Sequence, residues 1–198
     1  MLYILLPAYN EEKNIVKIFK KINKIKKKIS PFKVVLIDDC SNDNTKKLTK
    51  KNYNFDLIYK RHKKNKGLSL TLETGFKLIR NKAKKNDIII TLDSDNTHPV
   101  EKIIKMIQQI NNSNDIIIAS RFQTESKVKG VSIFRNFMSL GAKFLFKIFY
   151  SYKNLNDYTC NFRAYKFYLI NNLLKNNDFF KNEDFNIAAK IIIFLIKK

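Results

Sequence analysis

Short apolar runs alternate along this chain with stretches in which apolar residues recur at helical spacing. The runs are Leu2 to Leu6, Val34 to Ile37, Leu57 to Tyr59, Ile88 to Leu92 and Ile116 to Ala119, and each reads as a strand. Between the first two, Ile15, Phe19, Ile22 and Ile25 (or Ile29) fall on one side of a predicted helix with lysines on the other, so that helix covers the sheet. Gly67-Leu68-Ser69 opens a second predicted helix over Leu70 to Arg80. Strands alternating with helices predict an α/β domain built on a mainly parallel sheet. From Phe134 onward the texture changes. Phe137, Met138, Leu140, Phe144, Leu145, Ile148, Phe149 and Tyr152 crowd a predicted helix with few charges, which either packs on the core or lies in the headgroup layer of a membrane beside flanking lysines. There is no internal repeat and no Pro/Gly/Ser-rich linker, so residues 1–198 read as one domain.

Polar clusters follow directly on the strands: Pro7 to Glu11, Asp38-Asp39, Asp93 to Asp95, and Ser120-Arg121. Ligands of open α/β sheets bind outside the carboxyl ends of the strands, so these clusters are expected to line one crevice. Residues i and i+2 of an extended segment share a face, which puts the carboxylates of Asp93 and Asp95 side by side as hard oxygen ligands for Mg²⁺ or Mn²⁺. The same pattern by itself also fits a turn or a helix N-cap. Asp38 and Asp39 cannot both be buried without partners, and Ser41 and Asp43 are available to cap a helix beginning near Ser41.

Composition narrows the partners. At 198 residues and 44% hydrophobic content the chain can bury a full core. Its formal net charge is +22, from 39 Lys and Arg against 17 Asp and Glu, which favours nucleic acid, an anionic membrane surface or a phosphate-bearing substrate. The lysines are scattered, whereas Arg occurs only at positions 61, 80, 121, 135 and 163, where a forked donor is the distinguishing feature. Neither a base-reading basic helix nor an aromatic stacking module is present, which argues against nucleic acid. Cys40 and Cys160 make no metal-spaced cluster with His62 and His98, arguing against zinc and suiting a reducing compartment. No basic region precedes the first strand, and no apolar run approaches the roughly 18 residues of a membrane span, so a cytoplasmic location is expected.

Leu6-Pro7-Ala8-Tyr9-Asn10-Glu11-Glu12, Ile37-Asp38-Asp39-Cys40-Ser41-Asn42-Asp43-Asn44-Thr45, Gly67-Leu68-Ser69 with Gly75-Phe76, and Asp93-Ser94-Asp95-Asn96-Thr97-His98-Pro99 resemble, in order and spacing, family 2 glycosyltransferases of the GT-A fold. Ser120-Arg121, Arg135-Asn136-Phe137-Met138-Ser139 and Asp157-Tyr158-Thr159-Cys160-Asn161-Phe162-Arg163-Ala164 extend the resemblance to the branch containing dolichyl-phosphate (polyprenyl-phosphate) mannosyltransferases. The resemblance covers about residues 2–165. It implies a Rossmann-like sheet with a nucleotide-sugar part over about 1–120 and an acceptor part over about 121–198. Pro7, Tyr9, Glu11, Ile37, Asp39, Asp93, Ser94, Asp95 and Arg121 would bind a GDP- or UDP-linked sugar, with Tyr9 against the base and Asp39 accepting from ribose or base. Asp93 and Asp95 would hold the metal, and His98 would lie near it without a proton-transfer role. Arg121, Arg135, Ser139 and Arg163 would bind the phosphate of a polyprenyl acceptor. Ser139 lies one helical turn after Arg135, which puts both on one face.

The implied reaction is inverting transfer of a hexose, mannose or glucose, through an oxocarbenium-like transition state. Asp95 and Arg121 would serve the departing diphosphate, which the metal neutralises as a Lewis acid. A phosphate acceptor is already ionised and needs orientation more than deprotonation. A saccharide or other hydroxyl acceptor must lose a proton, and Asp184 of Glu183-Asp184 is the candidate base, although that pair equally fits an acidic first turn for the helix ending in Ile191 to Leu195. A non-catalytic nucleotide-sugar or membrane-surface binding module is the remaining alternative, because the chain stops at Lys198 where relatives continue. Two further departures are Thr97, where the branch commonly has Gln, and Cys160-Asn161, where Ser-Gly is usual. On the lipid-phosphate reading the protein sits peripherally on the inner face of the membrane.

Overall fold

The computed structural model describes residues 1–111, 114–120, 155, 157–181 and 186–197. In chain order its elements are β1 (Leu2–Ala8), α1 (Ile15–Ile29), β2 (Phe32–Asp38), α2 (Thr45–Leu48), β3 (Asp56–Arg61), α3 (Gly67–Arg80), β4 (Ile88–Thr91), α4 (Lys102–Asn111), β5 (Ile116–Ile118), β6 (Arg163–Lys166), α5 (Phe167–Leu173) and α6 (Ile187–Ile196). The sheet runs β3-β2-β1-β4-β6-β5. β1 pairs in parallel with β2 and β4, and β2 with β3. β6 lies antiparallel between β4 and β5, so β5 points the same way as β4.

All five sequence-expected strands are present, and β1 shows why the fold closes around them. Every residue of β1 is buried, as expected for a central parallel strand covered on both faces. Leu2, Ile4, Leu6 and Ala8 point into one core layer, where α1 contributes Ile15, Ile18, Phe19, Ile22, Ile25 and Ile29 and α4 contributes Ile103, Met106 and Ile110. Tyr3 and Leu5 point into the other, against Leu72, Phe76 and Ile79 of α3 and Ile170 and Leu173 of α5. Gly75 lets α3 approach closely: a Cβ there would collide with the Leu5 side chain.

β6 was not anticipated from sequence, and it alone interrupts the parallel order. The helix expected near Ser41 begins instead at Thr45 and is one turn long. The helix expected from Phe134 to Tyr152 lies outside the described residues. Among the described residues no helix is long and apolar enough to cross a membrane.

Candidate active site

The chain leaves β1 toward β2 and β3 on one side and returns through β4 on the other, so β1 and β4 flank the topological switch point, where open α/β sheets bind ligands. The loops after β1, β2 and β4 meet there. Each contains a non-glycine residue with left-handed backbone, Asn10 (φ 58°), Cys40 (φ 67°) and Asn96 (φ 63°). Asn adopts this region readily, whereas Cys40 does so at a cost that the surrounding contacts must offset.

Reciprocal hydrogen bonds join the first two loops into one frame. The Asn10 amide donates to Ser41 Oγ (2.9 Å), and the Asn42 amide donates to Asn10 Oδ1 (2.7 Å). The Glu11 amide donates to Thr45 Oγ1 (2.8 Å) and the Glu12 amide to Asp43 Oδ2 (2.9 Å), while Glu12 Oε2 accepts from the Asn44 amide and side chain. Asp43 Oδ1 also accepts from the Thr45 amide (2.9 Å) at the start of α2. Burial opposes ionisation of Asp43, but the bonds from Thr45 and Glu12 outweigh it and hold the carboxyl below the ordinary range. Tyr9 projects from this frame at 47% exposure, unusual for a large apolar side chain here.

The carboxylates of Asp38 and Asp39 at the end of β2 are both buried, and both have protein partners. Asp38 accepts from the Ser41 amide (2.7 Å) and the Tyr59 hydroxyl (2.6 Å), with Arg61 Nε at 3.7 Å. Asp39 Oδ1 accepts from the Lys66 amide (2.9 Å) and faces His62 Nδ1 at 2.7 Å. Its Oδ2 accepts from the Gly67 amide (2.8 Å). Asp39 therefore caps α3 from a distant loop, and His62, whose Nε2 lies 2.9 Å from Thr74 Oγ1, braces it against the same helix.

After β4, Asp93 is held on both oxygens. Oδ1 accepts from the side-chain amide of Asn161 (2.8 Å), and Oδ2 lies 3.0 Å from His98 Nε2. Asp95 is exposed. Its Oδ1 accepts from the Thr97 amide (3.0 Å) and hydroxyl (2.7 Å). Between and beside these carboxylates, Ser94 Oγ and Asn96 Oδ1 are buried with no hydrogen-bond partner among the described residues. Facing them across the switch point is Glu11, whose carboxyl is pushed up by burial, held down by the Asn14 amide, and pushed up again by Asp95, Asp43 and Asp93.

This donor chemistry fits Mg²⁺ or Mn²⁺: hard oxygens, two carboxylates on alternate residues, and unsatisfied neutral oxygens beside them. Among the described residues no set of three or more His, Cys, Asp or Glu forms a closed cage, and Mg²⁺ usually takes one or two carboxylates and completes its shell with water and phosphate.

Pro7, Tyr9, Glu11, Ile37, Asp39, Asp93, Ser94 and Asp95 thus all lie at one edge of the sheet. Arg121, Arg135, Ser139 and Asp184 lie outside the described residues. Arg163 requires a correction. It was expected to bind phosphate, but it is 0% exposed and donates to the carbonyls of Ala188 and Tyr158, tying β6 to α6 from the interior. A side chain so enclosed cannot reach an external anion without breaking those bonds. His62 and Asn161 were not expected at the site: His62 belongs to no short motif, and Asn161 entered only as a departure from the Ser-Gly usual in the branch.

The model of the family described as "Glycosyl transferase family 2" matches residues 3–174. Dolichol-phosphate mannosyltransferase of Pyrococcus furiosus is 32% identical over 140 residues, covering 70% of this chain and 38% of that protein. UDP-N-acetylglucosamine–dolichyl-phosphate N-acetylglucosaminyltransferase of Methanococcus voltae is 28% identical over 160 residues, covering 73% of this chain and 61% of that protein. This chain thus spans less than two thirds of either relative. Among solved structures, glucosyl-3-phosphoglycerate synthase of Mycobacterium tuberculosis, crystallised with Mn²⁺, UDP and glucosyl-3-phosphoglycerate, superimposes with a TM-score of 0.63 at 12% identity, covering 100% of this chain and 65% of that one. That likeness establishes the GT-A fold. With the family model spanning most of its length, the chain belongs to glycosyl transferase family 2.

Proposed function

We propose that this protein transfers a sugar from a nucleoside diphosphate donor to a polyprenyl phosphate at the cytoplasmic face of a membrane. The observation that carries the proposal is the Asp93/Asp95 pair at the β1/β4 switch point, with unpartnered Ser94 and Asn96 oxygens beside it and Glu11 opposite. The names of the two curated relatives support the acceptor class. Donor binding would fall to residues 1–120 and acceptor binding to residues 121–198 of a single domain.

Tyr9 would offer its exposed ring to the base, with Pro7 and Ile37 shaping the walls. An ionised carboxylate has about four lone-pair sites, so Asp39 would offer the nucleotide what its three protein donors leave. Mg²⁺ or Mn²⁺ held by Asp93 and Asp95 would supply Lewis-acid neutralisation of the departing diphosphate. Arg121 would meet that diphosphate and the incoming phosphate, and Arg135 and Ser139 would orient the acceptor by charge-assisted bonds. An ionised acceptor requires no base, and Asp184 would matter only for a hydroxyl.

Thermal shift against a panel of UDP- and GDP-sugars with Mn²⁺ identifies the donor, because a ligand of the folded form raises the melting temperature. Transfer to polyprenyl phosphate is then measured for the wild type and Asp95→Ala. A loss of at least about 100-fold in turnover is expected for removal of a metal ligand. Full metal-dependent turnover by Asp95→Ala would refute the assignment.

A further inference from the structure

We infer that Asn161 is a positioning residue for the cation carboxylate Asp93, through which the antiparallel strand β6 fixes the geometry of the metal loop. The inference rests on the proposed role of Asp93 and Asp95 as cation ligands.

Asn161 immediately precedes Phe162 and β6, and it is 6% exposed. Its main chain is fixed from below, since its carbonyl accepts from Thr91 Oγ1 at the end of β4. Upstream, Asp157 Oδ1 accepts from the amides of Thr159 (3.2 Å) and Cys160 (3.0 Å), which shapes the turn leading into it. The side-chain amide therefore projects from a braced segment when it donates to Asp93 Oδ1 at 2.8 Å. The next residue supports the other oxygen indirectly. The Phe162 ring packs against His98 at 5.2 Å between centroids, and His98 Nε2 faces Asp93 Oδ2. Asn161 and the residue packed behind His98 are thus neighbours in the segment that leads into the strand breaking the parallel order.

The chemistry suits that task. A neutral amide donor stabilises and orients a carboxylate without adding a charge that repels a cation, and the amide itself does not titrate. A ligand held in this way enters coordination without first losing rotamer freedom, which is why partners behind a metal ligand matter nearly as much as the ligand. Without Asn161, Asp93 would lose the donor that fixes its Oδ1.

The test uses Mn²⁺ alone, titrated into the protein and followed by the electron paramagnetic resonance signal of the free ion, with the melting temperature recorded for every variant. Asn161→Ala and Asn161→Ser are each expected to raise the Mn²⁺ dissociation constant about 10–100-fold. Wild-type Mn²⁺ affinity in either folded variant would overturn the inference. A merely structural Asn161 would lower the melting temperature and leave the Mn²⁺ constant unchanged, and this too counts against it. Asp95→Ala separates the two levels: if Mn²⁺ binding is indifferent to Asp95, the cation site itself is misassigned and the role of Asn161 falls with it.

Discussion

Replacing Asp39 with Asn should destabilise the protein far more than a change of one atom at a ligand site would suggest. The native carboxylate receives Lys66 N at 2.9 Å and Gly67 N at 2.8 Å, and faces His62 Nδ1 at 2.7 Å, with only 4% of the residue exposed. Asparagine offers one oxygen. Turned to keep His62 and Lys66, it sets its own N–H₂ against the Gly67 N–H, and turned the other way it abandons two donors. At least one charge-assisted bond is lost, worth about 1.5–3 kcal/mol, and a buried donor is orphaned, so a total of about 2–4 kcal/mol is expected. For a chain of this size each kcal/mol moves the melting temperature by roughly 2–4 °C, giving a drop of about 5–15 °C. Urea unfolding followed by circular dichroism measures the loss, and UDP or GDP titration measures nucleotide affinity on the same samples. An unchanged urea midpoint with nucleotide binding abolished would show that Asp39 acts as a ligand and not as the cap of α3.

Two further outcomes follow from the core and the frame. Gly75→Ala gains up to about 1 kcal/mol of helix propensity but drives a methyl into Leu5, and overpacking costs about 1–3 kcal/mol; net destabilisation is expected in urea, the effect of Gly75→Ala should be smaller in a Leu5→Ala background than in the wild type, and a stabilised single variant would refute the contact. The Tyr59 hydroxyl is pushed above its ordinary range by burial, then by its bond to Asp38 and that residue's charge, against the opposing Arg61. Its folded form keeps a proton that the unfolded chain releases near pH 10, so its contribution is complete below about pH 10 and is lost as pH rises through the folded value. Tyr59→Phe should therefore be less stable by about 1.5–3 kcal/mol at neutral pH, with the gap to wild type constant up to about pH 10 and narrowing above it.

What the sequence revealed and what it hid divide along physical lines. β1, β2 and β4 are carried by runs such as Leu2 to Leu6 and Ile88 to Leu92, whose apolar density marks two-sided burial without reference to the rest of the chain. β6 lacks that density. In Arg163–Lys166 the period-2 signal is present, with Phe162 and Ala164 in one core layer and Tyr165 and Phe167 in the other, but a buried Arg and a small Ala dilute it. Arg163 misled for the same reason: scarcity of Arg marks a need for a fork, and here the fork serves two backbone carbonyls. The motif residues at the strand ends were legible because the carboxyl edge is fixed by strand direction alone. Their partners were not, since His62 reaches Asp39 across 23 residues and Asn161 reaches Asp93 across 68, separations that local pattern cannot encode.

The distribution of charge gives the site its logic. In a chain with a net charge of +22, Glu11, Glu12, Asp38, Asp39, Asp43, Asp93 and Asp95 nevertheless gather at one edge of the sheet. Asp38 and Asp39 are satisfied locally by buried donors, and Glu12 and Asp43 are engaged in the frame between the first two loops. What remains directed at the switch point is Glu11 with Asp93 and Asp95, a patch in which burial first, and then repulsion from Asp95, Asp43 and Asp93, pushes the Glu11 carboxyl up against the Asn14 hydrogen bond. A diphosphate meets that patch unfavourably unless a dication stands between them. The lysines attract an anionic donor at long range, but their pull fades beyond about 8 Å at physiological salt. Donor affinity on the proposed reading is therefore set by the cation at the carboxylates, and the basic surface governs the rate of arrival.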